Sequence, residues 1–198
     1  MLVKRLFDIG LSLTAIVMMS PVFFFVAILL KFDSKGAVFY RQVRVGLNEK
    51  KFKLVKFRTM HVDSDRKGLL TVGDRDARIT PLGYWLRKYK IDELPQLINV
   101  LGGDMSFVGP RPEVSRYVEL YDNFQRRVLT MKPGITDWAS IEFIDENRLL
   151  ASADDPETFY IQTIIPQKIT QNLKYIDHHN IWIDLKIISQ TLRGIILK

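Results

Sequence analysis

Residues 9–30, IGLSLTAIVMMSPVFFFVAILL, run for twenty-two positions without a charge. About 20 such residues are what a helix needs to cross a bilayer. Backbone placed in lipid must satisfy its own hydrogen bonds, so this stretch has to be helical. A secretory signal fits poorly. Its apolar region is usually about 7–15 residues and ends at a small-residue cleavage site, whereas Lys31, Phe32 and Asp33 follow here. A plain span fits poorly too. Pro21 sits in the middle, lacks an N–H and clashes with the preceding turn, with Ser20 beside it to bond freed backbone groups. Both flanks are basic: Lys4 and Arg5 before, Lys31, Lys35, Arg41 and Arg44 after. Basic flanks stay cytoplasmic, so both ends belong on one side. The expectation is a re-entrant membrane helix over residues 1–33, bent at Ser20-Pro21, and a cytoplasmic-face domain over 34–198. A kinked full span and a buried pair of core helices are the alternatives.

The charge is lopsided. Residues 1–60 carry eleven Lys/Arg against three Asp/Glu, and the rest is nearly balanced. Such a basic segment calls for an anionic partner, either nucleic acid or membrane phospholipid. The uncharged run inside it favours anionic phospholipid, and no nucleic acid is expected. The absence of cysteine excludes disulfides, thiol nucleophiles and zinc thiolates. Three histidines make a histidine-built metal site a poor prospect.

The remainder reads as α/β, mostly helical with one small β-hairpin. AVFYRQVRVG (37–46) and KFKLVKFRTM (51–60) flank LNEK, a hairpin with basic residues on one face. Residues 61–80 are polar with two glycines and read as a loop. Thr80-Pro81 supplies an N-cap and a proline at the first helical position. A second helix is expected from near Asp92 to Gly102-Gly103. Residues 114–131 and 157–178 read as helices, and 132–143 as a turn and an extended segment. At the C-terminus Ile181, Leu185, Ile188, Leu192 and Ile195 share one helical face, which packs on the core or lies on the membrane surface.

Candidate chemistry centres on IDELPQL (91–97). By itself, Asp92-Glu93 before an apolar helix is ordinary: Asp92 as N-cap, Glu93 complementing the helix dipole. The company is less ordinary. Lys56, Arg58, Arg87 and Arg111 are cations suited to phosphate, arginine through its two-pronged fork. Carboxylates among them suggest Mg²⁺, held by one or two acids together with substrate phosphates. The other acid is then free to act as nucleophile. Adjacent helical residues diverge by about 100°, which suits two jobs better than one shared proton.

KRLFDIGLSL, Ser20-Pro21, KFRTM (56–60), RITPLGYWLRKYKIDELPQLINVLGGDMSFVGPRP (78–112), KPGIT (132–136) and IDLKI (183–187) together resemble the bacterial sugar transferases, the monotopic phosphoglycosyl transferases acting on polyprenol phosphate. The resemblance implies transfer of a sugar-1-phosphate from a UDP-sugar to undecaprenyl phosphate, with release of UMP, at the cytoplasmic face of the bacterial inner membrane. It implies Mg²⁺ held by Glu93, a covalent phosphosugar on Asp92, and a minimal catalytic unit with helices on the membrane surface. A homodimer is among the assemblies it leaves open. One segment departs from the family pattern. Many members continue KPGIT as GWAQVNGR, where this chain has DWASIEFIDENR. Asp137 replaces a glycine, Ile144 stands where the arginine belongs, and Arg148 is the nearest replacement. That departure leaves the donor sugar open.

Overall fold

A computed structural model describes residues 2–64, 68, 70–74 and 76–197. Of the expected 61–80 loop, residues 65–67, 69 and 75 lie outside the described residues. Helix α1 (Leu2–Asp33) takes up the whole apolar run, and Pro21 lies inside it. It is one helix rather than two halves. Pro21 cannot donate to the Val17 carbonyl, but the Ser20 hydroxyl donates to that same carbonyl at 2.8 Å. The group freed by proline is thereby satisfied and the helix continues. Among the described residues, α1 alone is long and apolar enough to cross a membrane.

Both ends of α1 are fastened to the same body. Near the start, Arg5 donates to the carbonyls of Val100 (2.6 Å) and Leu101 (2.9 Å). Asp8 accepts the Phe107 N–H at 3.1 Å. At the far end, Val26 and Leu30 pack with Phe57 and Leu86, and Asp33 accepts the Leu82 N–H. Between these anchors Leu13, Val17, Met18, Phe24 and Phe25 are exposed.

Strands β1 (Phe39–Val45) and β2 (Lys51–Phe57) form the expected antiparallel hairpin. Its cations do not share a face. Side chains alternate along a strand, and the pairing sets Arg44 and Lys56 on the inner face with Phe52 and Leu54. Arg41, Lys51 and Lys53 point to solvent. Helix α2 (Pro81–Lys88) starts as expected, the Thr80 hydroxyl accepting from the Gly83 N–H at 3.0 Å. A single 3₁₀ turn (Ile91–Glu93) then leads into α3 (Gln96–Gly102), which Gly103 ends in a left-handed conformation.

A two-stranded parallel sheet, β3 (Ser106–Val108) with β4 (Gly134–Thr136), carries the loops next to the acid pair. The expected helix over 114–131 is broken into α4 (Ser115–Val118) and a 3₁₀ stretch (Gln125–Thr130). Asp122 and Gln125 bond each other's backbone N–H reciprocally, which starts a new segment. The expected extension after β4 is short. Asp137 caps a new helix, α5 (Trp138–Glu142), followed by α6 (Glu146–Ala151).

The 157–178 helix is present as α7 (Pro156–Phe159), a π turn (Tyr160–Ile164) and α8 (Ile165–His178). Pro166 cannot donate to the turn before it, and the widened turn accommodates that loss. In α9 (Ile181–Ile196) the expected stripe is split. Asp184 and Ile187 face the core, with Ile188 and Ile195 half-buried beside them. Leu185 and Leu192 lie outside with Trp182 and Ile196. The rotation is set by a polar anchor: buried Asp184 pairs with Lys4 and accepts from the Tyr175 hydroxyl at 2.5 Å.

Arg58 is the hinge pin of the domain–helix junction. It donates to the carbonyls of Leu30 (3.2 Å), Ser34 (2.7 Å) and Lys35 (2.6 Å), closing the C-terminus of α1. Gly36, at φ 129°, lets it in; a Cβ there would stand 1.9 Å from its Nη1. Bonds to charged groups contribute roughly 1.5–3 kcal/mol each, and these act as one unit. Arg58→Ala is therefore expected to lose roughly 2–4 kcal/mol of stability. Thermal melting in detergent and proteolysis across residues 33–38 measure this. A variant that melts like the parent sinks the capping role.

Candidate active site

Two turns aim the acid pair. Lys90 adopts a left-handed conformation, φ 55°, rare for a side-chain-bearing residue. The chain reverses there, and Ile91 packs onto the cluster of Val26, Leu30, Phe57 and Leu86. The 3₁₀ turn that follows leaves Asp92 and Glu93, 5% and 9% exposed, lining one cavity of about 890 Å³. That lies within the roughly 300–1,000 Å³ of small-molecule sites. Asp92 caps neither the 3₁₀ turn nor α3, so the ordinary reading of its carboxylate fails.

The two acids are treated oppositely. Glu93 meets the Arg111 guanidinium as a two-pronged fork: Nη1 donates to Oε2 at 3.1 Å, and Nη2 to Oε1. Lys56 adds a bond to Oε1 at 3.2 Å. Burial alone would raise Glu93, but Arg111 and Lys56 outweigh it and hold the carboxyl well below the usual range. Asp92 has an oxygen, Oδ1, that is buried and has no hydrogen-bond partner among the described residues. Burial, then the charge of Glu93, push its carboxyl up, against the pull of Lys56, Arg87 and Lys90. Lys56 itself is lowered to about 8, chiefly by burial, with Glu93 opposing and Arg111 adding to the fall. Glu93 in turn raises the Arg111 guanidinium.

Second-layer contacts set these distances. Asn99 on α3 bonds the edge of β2, its Oδ1 accepting from the Val55 N–H (2.9 Å) and its Nδ2 donating to the Lys53 carbonyl (2.8 Å). The strand bearing Lys56 is thus fixed to the helix that follows Glu93. Gly109 and Gly134 bring the FVGPRP and KPGIT segments into contact. A Cβ on Gly134 would lie 2.2 Å from the Gly109 nitrogen, so only glycine fits. Asp137, fully buried, accepts the Arg111 N–H at 3.1 Å through one oxygen and the Ser140 N–H at 2.5 Å through the other. The residue that departs from the family pattern therefore positions the backbone of Arg111. Behind it, Glu113 takes Arg44 at 2.9 Å and the Tyr160 hydroxyl at 2.5 Å.

Of the residues expected at the site, Lys56, Arg87 and Arg111 line the cavity with the acid pair. Arg58 borders it too, but both its terminal nitrogens are committed to carbonyls at and just after the end of α1. Arg148 is not brought in. It is exposed and paired with Asp74 at 2.7 Å. Ser20 and Pro21 lie in α1, apart from the cavity. Asn99, Glu113 and the aim of Asp137 were missed, because their partners are distant in the chain and an isolated polar residue gives no periodic signal.

A magnesium ion fits this donor set in one mode. Among the described residues no group of three or more His, Asp or Glu forms a cage. A carboxylate has about four lone-pair positions, and three N–H bonds leave Glu93 one. Mg²⁺ is commonly held by one or two carboxylates with substrate phosphates completing the shell, and one remaining Glu93 lone pair beside the phosphate-binding cations matches that sparse arrangement.

Comparison with known proteins puts a family beside this geometry. The family described as bacterial sugar transferase matches over residues 1–198. The UDP-N-acetylgalactosamine-undecaprenyl-phosphate N-acetylgalactosaminephosphotransferase of Aeromonas hydrophila is 36% identical over 197 residues, covering 98% of this chain and 44% of that protein. The UDP-glucose:undecaprenyl-phosphate glucose-1-phosphate transferase of Escherichia coli is 36% identical over 195 residues, covering 96% and 39%. The uncharacterized sugar transferase EpsL of Bacillus subtilis is 38% identical, covering 100% and 89%. The chain thus spans less than half the length of the first two relatives.

The Lys56 amine is expected to titrate near pH 8 rather than near 10.5. Glu93 raises that value, so Glu93→Gln is expected to lower it further. Carbon-13 NMR of the lysine ε-methylene reads both. Titration near 10.5 in parent and variant would mean the amine is not held in this cluster.

Proposed function

This chain belongs to the bacterial sugar transferase family, and on that premise we propose that it transfers a sugar-1-phosphate from a UDP-sugar to undecaprenyl phosphate and releases UMP. The observation that carries the reading is the asymmetry of the acid pair: Glu93 neutralised by two cations, Asp92 with a buried oxygen and no partner. The activities for which the Aeromonas and Escherichia relatives are named support the same reaction class.

In this reading an Asp92 carboxylate oxygen attacks the β-phosphorus of the donor. The bond from that phosphorus to the bridging oxygen breaks, and UMP leaves with the bridging oxygen. A phosphate oxygen of undecaprenyl phosphate then attacks the same phosphorus. The bond to Asp92 breaks, freeing its carboxylate and giving the lipid-linked diphosphate sugar. The cavity cations Lys56, Arg87 and Arg111 stabilise charge on the phosphates, as phosphoryl transfer needs positioning and charge neutralisation above all. Desolvation keeps Asp92 free of competing hydrogen bonds and of water. Glu93, with Asp92 adjacent, would hold Mg²⁺, which supplies further neutralisation of phosphate charge when bound.

The membrane reading completes the proposal. Helix α1 enters the cytoplasmic leaflet of the inner membrane and returns, bending at Ser20-Pro21 without losing its helical continuity. Its two ends, docked on one body on either side of an exposed apolar middle, support this. The exposed Trp182, Leu185, Leu192 and Ile196 face of α9 supports a helix lying on the same surface. An acceptor phosphate at the headgroup level and a donor from the cytoplasm would then meet at one cavity.

The test is UMP release by detergent-purified protein with Mg²⁺ and undecaprenyl phosphate, across a panel of UDP-sugars. Asp92→Asn is expected to lower the rate by roughly 10³-fold or more, as removal of an essential nucleophile does. With donor labelled at the β-phosphate and no acceptor, the parent is expected to retain label and Asp92→Asn none. UMP release surviving in that variant would overturn the role given to Asp92.

A further inference from the structure

The cavity extends beyond the acid pair to a wall built from α5 and α8, and two polar groups there have no hydrogen-bond partner among the described residues. Asn172, on α8 among Ile165, Ile169 and Leu173, is 5% exposed, and its Oδ1 is buried without a partner. Ser140, on α5, has a hydroxyl oxygen in the same condition. Both residues line the cavity that holds Asp92 and Glu93. Buried polar groups are nearly always satisfied, and leaving one unsatisfied costs stability. Two on facing helices of one open cavity point to a ligand as the missing partner.

We propose that Asn172 and Ser140 form a donor-recognition subsite that takes an uncharged hydrogen-bonding group of the nucleotide sugar. This rests on the reading of the chain as a UDP-sugar transferase. The wall is tied to the reacting centre through a short chain of bonds. Asp137 holds the Ser140 N–H with one oxygen and the Arg111 N–H with the other, and Arg111 grips Glu93. Helix α5 is further fixed to α8 by Gln171, which donates to Glu142 at 2.7 Å. A molecule with its phosphates at Arg111 is thus in register with this wall. The wall's charges cancel, because Lys168 pairs with Glu146. The neighbouring hydroxyls of Thr136 and Thr191 bond each other at 2.6 Å. What is left for a ligand is an amide oxygen, an acceptor that suits N–H and O–H groups such as those of a sugar or a uracil ring rather than phosphate, and a hydroxyl that can donate or accept.

The measurement is steady-state kinetics and thermal melting of the full chain in detergent, parent against Asn172→Leu and Ser140→Ala. Asn172→Leu is expected to raise KM for the UDP-sugar about tenfold or more, and Ser140→Ala about threefold or more. KM for undecaprenyl phosphate should stay within twofold. Replacing an unsatisfied polar group by an apolar one of similar size should leave melting unchanged or raise it. Inhibition by UMP separates the two sources: weakened in Asn172→Leu, the group is on the uridine; unchanged, it is on the sugar. Unchanged donor KM in both variants overturns the proposal. So does a lowered melting temperature with unchanged donor KM, which gives the amide a structural partner. If the parent releases no UMP from any donor, the reaction is what fails; calorimetric binding of UDP-glucose and UDP-N-acetylgalactosamine to parent and Asn172→Leu still decides the subsite, equal affinity or none sinking it.

Discussion

The contact on which the site depends is the three-way meeting of Glu93, Arg111 and Lys56. Each group comes from a different element: the 3₁₀ turn before α3, the loop after β3, and strand β2. None of the three would be tolerated buried alone, since an unpaired buried charge is costly. Together they form a cluster in which one carboxylate balances part of two cations. The surplus of positive charge faces the cavity, where Arg87 and Lys90 add to it. An anionic ligand is the natural complement, and Asp92 sits inside that field without being consumed by it.

Around this cluster the fold reads as a set of clamps. Asn99 fixes β2 to α3, Asp137 fixes the Arg111 loop to α5, and the glycine contact between residues 109 and 134 brings the two loops together. Arg58 and Arg5 do the same for α1, each by donating to backbone carbonyls at a helix end. The helix dipole favours such cations at C-termini, and α1 and α3 are the helices served. The apolar helix and the site are therefore not independent modules. The strand that bears Lys56 continues into the arginine that closes α1.

Much of this was legible in the sequence, and what was not has physical causes. Thr80-Pro81 and the Gly102-Gly103 stop are local devices, so they read correctly. The acid pair and Lys56, Arg87 and Arg111 could be gathered by charge type alone. Arg58 could not be assigned that way. As a cation two residues from Lys56 it looks like a phosphate ligand, and only the return of α1 to the hairpin gives it carbonyls to bind. The outer face of α9 misled for another reason. A helix apolar on two arcs has no single stripe, and its rotation is fixed by the buried Asp184, which a hydrophobic pattern counts as an interruption. Asp137 stood out as a departure, but its aim at the Arg111 N–H depends on a parallel strand pairing that joins Ser106 to Gly134 and Val108 to Thr136, far apart in the chain.

Buried aspartates make the last comparison within the molecule. Asp8 accepts a backbone N–H of β3. Asp137 accepts two backbone N–H groups, and Asp184 meets Lys4 and the Tyr175 hydroxyl. Each of these three carboxylates is held by donors that favour it in place, and each links segments distant in the chain. Asp92 is as buried as they are, yet one of its oxygens has no donor at all. An unsatisfied carboxylate oxygen weakens the fold; Asp33, which anchors α1 through Oδ1, is the other aspartate with a buried unpartnered oxygen among the described residues. The vacancy at Asp92 suits a nucleophile, since the lone pair that attacks must be free of a hydrogen bond. This asymmetry supports the proposed role of Asp92, because the neighbouring Glu93, held by three donors, shows that the site had cations at hand to satisfy it.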